Sequence, residues 1–368
     1  MIVGSGIMGL LTAVECVSAG HQVVVLDQGQ IPCPEATSYD RHRSMRALHM
    51  KNPAEVGPAV RSHHRWIALQ KQLATRFYEQ VGMLTVMPPE DVPRALAMLS
   101  ATGWHPHVLD PDELTSRYPH VEFPIGESAV LEPLAGVLLA DRVLIACAAW
   151  LRRRPGVELR QYSKVVFVDD TCVRLADGTA VTGDALLLAG GPWSRELLGP
   201  ELAGELVLYR QSMLYCDVPA PESRAWSRTP AMLSIGTDGC AWLVPPVAGT
   251  PLKLSAASAC RAVQRVEDTA TPACWREHLV AMFAEVIPGF NAGWLVDARD
   301  GYYLARASTD GAMVTMLGER VVSYSACGGS SFKFAPLIAR SLADRLRGAE
   351  PIATGLAALD EGLARHPQ

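Results

Sequence analysis

The stretch IVGSGIMGL, Ile2 to Leu10, decides the fold of this chain. Its first two residues predict a short strand, and an apolar helix is predicted over residues 7–19. The turn at residues 20–22 leads into a second apolar strand, Val23 to Leu26, which ends at Asp27. A strand, a turn, a helix and another strand in this order are typical of a parallel sheet in an α/β fold.

Three glycines suit this turn to binding a phosphate group. Gly4 permits the tight turn, Gly6 lets the backbone approach a pyrophosphate, and Gly9 allows close packing of the helix on the strand. The helix N-terminus supplies free N–H groups and a positive dipole for phosphates. Asp27 stands where a carboxylate accepts hydrogen bonds from ribose hydroxyls. We expect a dinucleotide here; a structural glycine turn is the alternative, and the motif does not separate FAD from NAD.

Composition narrows the class of protein. The chain has 368 residues, 49% of them apolar, enough for about two domains with sizeable cores. A net charge of −5 without a basic stripe argues against nucleic acid as a partner. No apolar run reaches the roughly 18 residues that span a membrane, and the N-terminus does not resemble a secretory signal. Nine cysteines without CxxC pairing indicate a cytoplasmic protein with reduced thiols, and no metal site is expected.

The rest of the chain alternates between helical and strand-rich segments. Residues 28–50 are predicted to be irregular, and residues 82–137 to alternate short strands and turns. Helices are predicted over about 53–81, 138–154, 272–286 and 335–347. Strands are predicted at 164–169, 172–175, 185–189, 313–316 and 321–324, and residues 209–304 are predicted to be mostly antiparallel strands.

This order predicts a cofactor domain that is interrupted twice. The expected fold class is α/β, with a Rossmann-like FAD-binding domain and an inserted α+β substrate domain on a mixed, largely antiparallel sheet. The cofactor domain is predicted to comprise residues 1–72, 138–208 and 305–368. The substrate domain is predicted to comprise residues 73–137 and 209–304.

A second glycine-rich segment, GGSSFKF over residues 328–334, lies near the other end of the chain. It fits a turn that approaches the far end of the same ligand. A nicotinamide enzyme needs only the first glycine turn, whereas a flavin amine oxidase needs both. The two segments together therefore favour FAD over NAD.

Six short stretches, in order, carry a family resemblance: GSGIMG (4–9), HRSMRALH (42–49), LLLAGGPW (186–193), PLKLS (251–255), GYYLAR (301–306) and GGSSFKF (328–334). With them, nearly the whole chain resembles the D-amino acid oxidase superfamily of flavoproteins, and within it monomeric sarcosine oxidase and related secondary-amine oxidases. The resemblance implies FAD as cofactor, a small amine or amino acid as substrate, and dioxygen as electron acceptor. It leaves open whether the protein is a monomer or a dimer.

The resemblance also assigns roles to three cations. Arg43 and Arg46, expected on a loop, would lie against the flavin ring and grip the substrate carboxylate, respectively. Lys333, between two phenylalanines, would join Arg46 at the carboxylate. From the residues alone, a solvated basic loop and a lysine that snorkels to the surface are the alternatives.

Lys253 lies in the apolar run PLKL, where a lysine is costly to bury unless it has a function or a partner. The resemblance places it over the other face of the flavin, through a water molecule, where it assists oxygen reduction. A lysine at a strand edge facing solvent is the alternative. Tyr303 and Trp242 fall at substrate-pocket positions of the family.

The chain departs from the family pattern at three positions. Gly301 stands where monomeric sarcosine oxidase has the cysteine that tethers the flavin, so FAD is expected to bind non-covalently. Ala257 replaces a pocket histidine, and Trp242 replaces a pocket tyrosine. The chemistry is therefore expected to be kept, while the identity of the substrate stays open.

The cofactor-binding residues expected from the motifs and the resemblance are Gly4, Gly6, Ile7, Met8, Gly9, Asp27, Gln28, Ser38, His42, Arg43, Val165, Gly190, Gly191, Trp193, Gly328, Gly329, Ser330, Phe332 and Lys333. With them we expect oxidation of a C–N bond in a small amino or imino acid, with dioxygen reduced to hydrogen peroxide. Three alternatives remain: a tailoring enzyme of a biosynthetic pathway acting on a cyclic imino acid or other specialised amine, a flavin dehydrogenase with another electron acceptor, and a non-catalytic flavin-binding protein.

Overall fold

A computed structural model describes residues 1–356 of the chain. Within them the strands are β1 Ile2–Val3, β2 Val23–Leu26, β3 Arg43–Met45, β4 Tyr78–Glu79, β5 Met83–Met87, β6 His107–Leu109, β7 Ser128–Glu132, β8 Gly136–Leu138, β9 Val157–Arg160, β10 Val165–Asp169, β11 Cys172–Leu175, β12 Ala180–Thr182, β13 Leu186–Leu188, β14 Leu206–Cys216, β15 Ala231–Ile235, β16 Ala241–Val244, β17 Leu252–Ala256, β18 Cys260–Val263, β19 Leu295–Arg306, β20 Ala312–Met316 and β21 Val321–Cys327. The helices are α1 Ile7–Ser18, α2 Val56–Leu73, α3 Val92–Ser100, α4 Pro111–Arg117, α5 Ala140–Arg152, α6 Pro200–Gly204, α7 Ser223–Trp226, α8 Ala273–Val286 and α9 Ala335–Leu346.

The first sheet has six strands in the order β20-β21-β13-β1-β2-β9. The strands from β21 to β9 run parallel, and β20 is an antiparallel edge strand. Strands distant in sequence thus lie side by side: Leu187 of β13 pairs with Ile2 of β1 on one side and Val322 of β21 on the other. Helix α1 packs against α5 and α9, and the three share one apolar core with this sheet.

The second sheet has nine strands, in the order β18-β14-β17-β16-β15-β5-β7-β6, with β19 paired to β14. Its strand pairs are antiparallel except for β5 and β15. Helix α8 packs on β14 and β17 and contributes Leu279 and Phe283 to a separate apolar core. The expected fold class, a parallel cofactor sheet beside a mixed, largely antiparallel sheet, is confirmed.

Helix α2 ends earlier than the sequence analysis predicted. The predicted helix over residues 53–81 stops at Leu73, because Ala74 adopts a left-handed conformation with φ of 49°. The side-chain Oε1 of Gln70 then accepts hydrogen bonds from the backbone N–H groups of Phe77 and Tyr78, both at 2.8 Å. These bonds satisfy the backbone where β4 begins, so the chain leaves the helix.

Residues 82–137, predicted as short strands and turns, also contain helices α3 and α4. Helix α3 buries Val92, Ala95 and Leu99, a 3–4 residue spacing that the surrounding strand pattern masks. The side chain of Asp110 caps α4 by accepting a hydrogen bond from Glu113 N at 2.8 Å. The prediction of strands and turns alone was therefore wrong for this segment.

The sequence analysis expected Arg43 and Arg46 on a loop, and this was wrong for Arg43. Arg43 begins the short strand β3, which pairs antiparallel with β8 in a three-stranded sheet, β3-β8-β4. Arg46 follows directly after this strand.

A further three-stranded sheet, β10-β11-β12, packs one face against the parallel sheet and shares an apolar core with it.

The parallel sheet draws strands from each of the three segments assigned to the cofactor domain, but the proposed domain boundaries stay a prediction. The last part of the predicted segment 305–368, residues 357–368, lies outside the described residues. Among residues 1–356, none of the helices combines the length and the apolar character that a membrane span requires.

Candidate cofactor and substrate site

A cavity of about 460 Å³ lies between the two large sheets. One wall is formed where the parallel strands β1, β2, β13 and β21 end, at the carboxyl edge of the sheet. The other wall is formed by β14, β16, β17 and β19 of the nine-stranded sheet. Ligands of open α/β sheets bind at such carboxyl edges, so this cavity is the candidate site.

The glycine turn forms part of the first wall, and it has no room for side chains. Gly4 has φ of +100°, and a Cβ there would lie 2.3 Å from the carbonyl oxygen of Ala189. A Cβ on Gly9 would lie 1.9 Å from the carbonyl oxygen of Gly4. The two positions therefore require glycine, and the turn presents backbone to the cavity.

The turn leaves N–H groups available for an anion. Helix α1 begins after Gly6, has no side-chain cap and carries no acidic residue in its first turn. Ile7 N donates to Ser38 Oγ at 3.1 Å, and both residues line the cavity. The other N–H groups of this first turn and the positive helix dipole fit the pyrophosphate of FAD.

Asp27 ties the turn to the end of β2. Its Oδ2 accepts hydrogen bonds from both the backbone N and the Oγ of Ser5, each at 2.7 Å. Its Oδ1 accepts from Gly29 N at 2.8 Å. The carboxylate also lines the cavity, where the remaining lone pairs can receive ribose hydroxyls.

Most residues expected from sequence to hold the cofactor or substrate do line this cavity: Gly4, Gly6, Ile7, Met8, Asp27, Gln28, Ser38, His42, Arg43, Val165, Gly190, Gly191, Trp193, Trp242, Lys253, Tyr303, Gly329 and Phe332. Five do not reach its wall: Gly9, Arg46, Gly328, Ser330 and Lys333. Gly9 and Gly328 instead pack against backbone, at Gly4 and Gly311 respectively.

Arg46 and Lys333 converge beside the cavity rather than in its wall. Lys333 Nζ lies 2.9 Å from His49 Nε2, and Arg46 Nη1 donates to the carbonyl oxygen of Leu48 at 2.7 Å. Burial, with the two cations, lowers the pKa of His49 to about 2, so the neutral ring accepts from the lysine. Burial and the nearby Arg46 also lower the pKa of Lys333. The surface-snorkelling alternative for Lys333 is thereby wrong, since its side chain is buried.

A buried glutamate holds the backbone after Arg46. Glu132 Oε2 accepts hydrogen bonds from Ala47 N at 2.7 Å and from Leu48 N at 3.2 Å. Burial raises the pKa of Glu132, while these donors and Arg46 act in the opposite direction. The carboxyl group therefore fixes the segment that carries Arg46 and lies close to its charge.

Lys253 is a buried cavity-wall residue with an acidic partner. Its Nζ lies 2.5 Å from Asp40 Oδ2 and 3.4 Å from the carbonyl oxygen of His42. Only 2% of the residue is exposed, so the alternative of a solvent-facing edge lysine is wrong. Burial and the guanidinium groups of Arg43 and Arg299 lower the pKa of Lys253, and the contact with Asp40 opposes that effect.

His42 contributes an acceptor to the same region. Burial, and next the charge of Lys253, lower the pKa of His42 to about 3. Its Nε2 lies 3.0 Å from the carbonyl oxygen of Pro251, so the neutral ring donates from Nε2. Its Nδ1 is buried without a hydrogen-bond partner in the described structure. A cavity-lining acceptor that lacks a donor fits a ligand with N–H or O–H groups.

The proposed substrate-pocket residues lie at the nine-stranded sheet. Tyr303 stacks on Tyr209 with ring centroids 5.3 Å apart, and its hydroxyl lies 3.3 Å from Cys260 Sγ. Trp242 lines the cavity from β16. Ala257, in contrast, is exposed and is not among the lining residues, so the position of the family's pocket histidine does not face this cavity.

Sequence reasoning missed four buried residues that lie around the predicted cations: Asp40, His49, Glu132 and Tyr215. Asp40 and His49 lay within or beside a motif that was analysed only for its arginines. Glu132 and Tyr215 come from strands far along the chain, and nothing local marks them. For the described residues, no cluster of histidine, cysteine and acidic side chains is suited to a metal ion.

Comparison with known proteins identifies the family. Residues 1–345 match the family described as FAD dependent oxidoreductase, DAO. The peroxisomal sarcosine oxidase of Homo sapiens is 25% identical over 204 residues, which cover 54% of this chain and 52% of that protein. Thus the match spans about half the length of this relative. The N-methyl-L-tryptophan oxidase of Salmonella heidelberg is 24% identical over 363 residues, 95% of each protein.

Solved structures show the same fold. A thermally stable mutant of fructosyl peptide oxidase superposes with a TM-score of 0.80 at 18% identity, covering 97% of this chain and 92% of that one. NikD, an amino acid oxidase of nikkomycin biosynthesis, superposes with a TM-score of 0.77 at 18% identity, covering 94% and 92%. At this level of identity the likeness concerns the fold alone.

The environment of Gly301 predicts how FAD is held. Gly301 lines the cavity, and a Cβ there would lie 3.3 Å from Thr37 Cγ2 and 3.4 Å from Met213 Cε. Since glycine offers no nucleophile at the tether position, acid or heat denaturation should release intact FAD into the supernatant. Absorbance and chromatography of the supernatant measure the release. Flavin that stays with the precipitated chain would contradict non-covalent binding.

Proposed function

Since this chain belongs to the FAD dependent oxidoreductase family and uses FAD as its cofactor, we propose that it is an oxidase of the C–N bond in a small amino or imino acid. The amine is converted to the imine, which can then hydrolyse. FAD, held at the glycine turn and beside Asp27, would supply the two-electron chemistry that links oxidation of the amine to reduction of dioxygen, with two protons, to hydrogen peroxide.

One observation carries this proposal: a buried lysine lies in the wall of the candidate cofactor cavity. Lys253 is supported by Asp40 and lies beside Arg43, which is a second cation of the same wall. Such fixed positive charge in a water-poor site stabilises the negative charge that develops as dioxygen is reduced. This feature favours an oxidase over a dehydrogenase that passes electrons to another carrier.

The substrate class rests on Arg46 and Lys333. A buried lysine and a half-buried arginine, drawn together from opposite ends of the chain, need a negative partner. A substrate carboxylate can supply that charge in addition to Glu55 and Glu132. Because the two side chains lie just behind the cavity wall, the proposal requires their long side chains to turn toward the bound carboxylate. No general base is assigned, because a neutral amine can lose a hydride from its α-carbon and give the protonated imine without first losing a proton.

A second candidate function is that of a tailoring oxidase in a biosynthetic pathway. Its supporting observation is the composition of the nine-stranded wall, where Leu233, Trp242, Leu243 and Val244 line the cavity. This apolar surface fits a larger cyclic imino acid better than a small glycine derivative.

We also propose a cytoplasmic location, supported by nine cysteines that are all free thiols.

A panel of amines tests the proposed function. Under air, N-methyl amino acids and cyclic imino acids should yield hydrogen peroxide, whereas matched amines that lack the carboxylate should not. A coupled peroxidase assay measures the product. Anaerobic bleaching of the flavin without peroxide under air would identify a dehydrogenase. The absence of bleaching with every amine would identify a non-catalytic flavin-binding protein.

The replacement Lys253→Met tests the role of the buried lysine. Anaerobic reduction of the flavin by substrate should stay nearly intact, while reoxidation by dioxygen should slow about 10²–10³-fold, because a positioned charge is lost. Stopped-flow absorbance separates the two half-reactions. Lys71→Met, at an exposed position on α2, is the matched control. Unchanged reoxidation in Lys253→Met would leave the lysine with a structural role only.

The replacements Arg46→Ala and Lys333→Ala test carboxylate binding. Each charge-assisted hydrogen bond contributes about 1.5–3 kcal/mol, so each variant should weaken binding of a carboxylate ligand by roughly 10–100-fold. Flavin difference spectra during titration with small carboxylates measure the dissociation constant. Arg76→Ala, which removes a largely exposed arginine, should bind as the parent protein does. If small carboxylates never perturb the parent spectrum, the amino-acid proposal fails.

A further inference from the structure

Asp40 and Tyr215 are buried residues to which the proposed reaction gives no role. Asp40 Oδ2 receives Lys253 Nζ at 2.5 Å and also pairs with Arg43. Asp40 Oδ1 accepts hydrogen bonds from Tyr215 Oη at 2.5 Å and from Arg41 N at 2.6 Å. The carboxylate thus contacts both cavity-wall cations while two donors fix its orientation.

We propose that Asp40 is a positioning residue that keeps the ammonium of Lys253 charged and fixed at the cavity wall, and that Tyr215 orients Asp40 for this task. Lys253 and Arg43 line the cavity, whereas Asp40 and Tyr215 lie behind them and are absent from the lining. Asp40 therefore acts through Lys253 and not on the reacting atoms. This inference rests on the proposed role of Lys253 in oxygen reduction.

The charges explain why a carboxylate is needed behind the wall. Lys253 is buried and Arg43 is largely buried, so the two cations repel each other and lose much of their hydration. With Asp40 ionised, Lys253 and Arg43 contribute two positive charges against one negative charge, so one net positive charge remains at the wall. Without Asp40 the desolvated lysine would release its proton more readily, and the positive charge that the oxygen step requires would be lost.

The neighbouring side chains supply no substitute for Asp40. The Nζ of Lys253 lies 5.7 Å from the ring centroids of both Tyr215 and Trp242, which adds weaker cation–π attraction. The titratable and charged groups that face the pair from the surrounding elements are Arg41, His42, Arg43, Tyr215, Asp297, Arg299 and Cys327. Asp297 is the one carboxylate among them, and it is exposed. His42 and Tyr215 are neutral because of their shifted pKa values, and Arg299 adds a further positive charge.

The first experiment follows flavin reoxidation against pH in Asp40→Asn. The flavin of the holoenzyme is reduced by light and a sacrificial donor, so no amine substrate is needed, and is then mixed with dioxygen. The rate should fall as pH rises through the pKa of Lys253, since the protonated form is the active one. Loss of the carboxylate should move that fall by about 1–3 pH units to lower pH.

The Tyr215→Phe replacement gives a graded test, because it keeps the ring under the ammonium and removes only the hydroxyl that orients Asp40. It should move the profile in the same direction by a smaller amount. Asp344→Asn is the control: Asp344 is a buried aspartate on α9 that pairs with Arg347 just after the helix, and it is absent from the cavity lining. Its profile should match that of the parent protein.

A second measurement does not depend on activity: urea unfolding of the full chain in saturating FAD. Asp40→Asn should be less stable than the double variant Asp40→Asn/Lys253→Met, because only the single variant buries a lysine without its partner. In the single variant the folded-state pKa of Lys253 falls further below its unfolded value, and the unfolded chain binds more protons. Its urea midpoint should therefore rise with pH, and the double variant should lack this rise.

The outcomes separate this inference from the proposed function. An unshifted pH profile in both Asp40→Asn and Tyr215→Phe, or equal stability losses in the single and double variants, would overturn the inference. Because neither measurement uses an amine, a failed amine panel would leave these results intact. If Asp40→Asn does not fold, Tyr215→Phe alone decides: a shifted profile supports the inference and an unshifted one overturns it.

Discussion

The backbone between β1 and α1 has no space for a side chain, and the position of the cavity follows from that constraint. Gly4 lies against the carbonyl of Ala189, and Gly9 lies against the carbonyl of Gly4. These contacts bring the end of β13 and the start of α1 next to β1, so three elements converge at one sheet edge. Uncapped N–H groups then face the cavity, where a pyrophosphate can accept hydrogen bonds from them.

The two lysines in and beside the cavity wall pose an electrostatic problem, because both ammonium groups are buried. Lys253 receives a carboxylate from Asp40, and Lys333 receives a neutral imidazole from His49. The two arrangements differ in how strongly they stabilise the charged form of the lysine. An ion pair stabilises the charged form of a lysine in the absence of ligand, whereas a neutral imidazole does so less, and Lys333 has only the more remote carboxylates of Glu55 and Glu132. This contrast agrees with a permanent charge at the proposed oxygen site and a carboxylate-dependent charge at the proposed substrate site.

Distant segments therefore have to be held in register for either site to exist. Glu132 fixes the backbone after Arg46 through hydrogen bonds to Ala47 and Leu48. Strand β3, which carries Arg43, is held by its pairing with β8. Glu132 and strand β8 both lie at the end of residues 82–137, the segment predicted as strands and turns. This segment therefore positions Arg43 and Arg46, although it lines little of the cavity.

The sequence by itself determined the glycine turn, the order of the parallel strands' segments and most of the cavity-lining cofactor positions. The glycine turn and the strands depend on local backbone conformation and on apolar periodicity, which neighbouring residues decide. Most of the expected cofactor positions came instead from the family resemblance, and they line the cavity. Tertiary structure alone decided the partners of the buried cations. Asp40 is 213 residues from Lys253, and His49 is 284 residues from Lys333. Such pairs form only when the register of separate sheets is fixed, and a buried charge then takes whichever polar group the packing brings within hydrogen-bond distance.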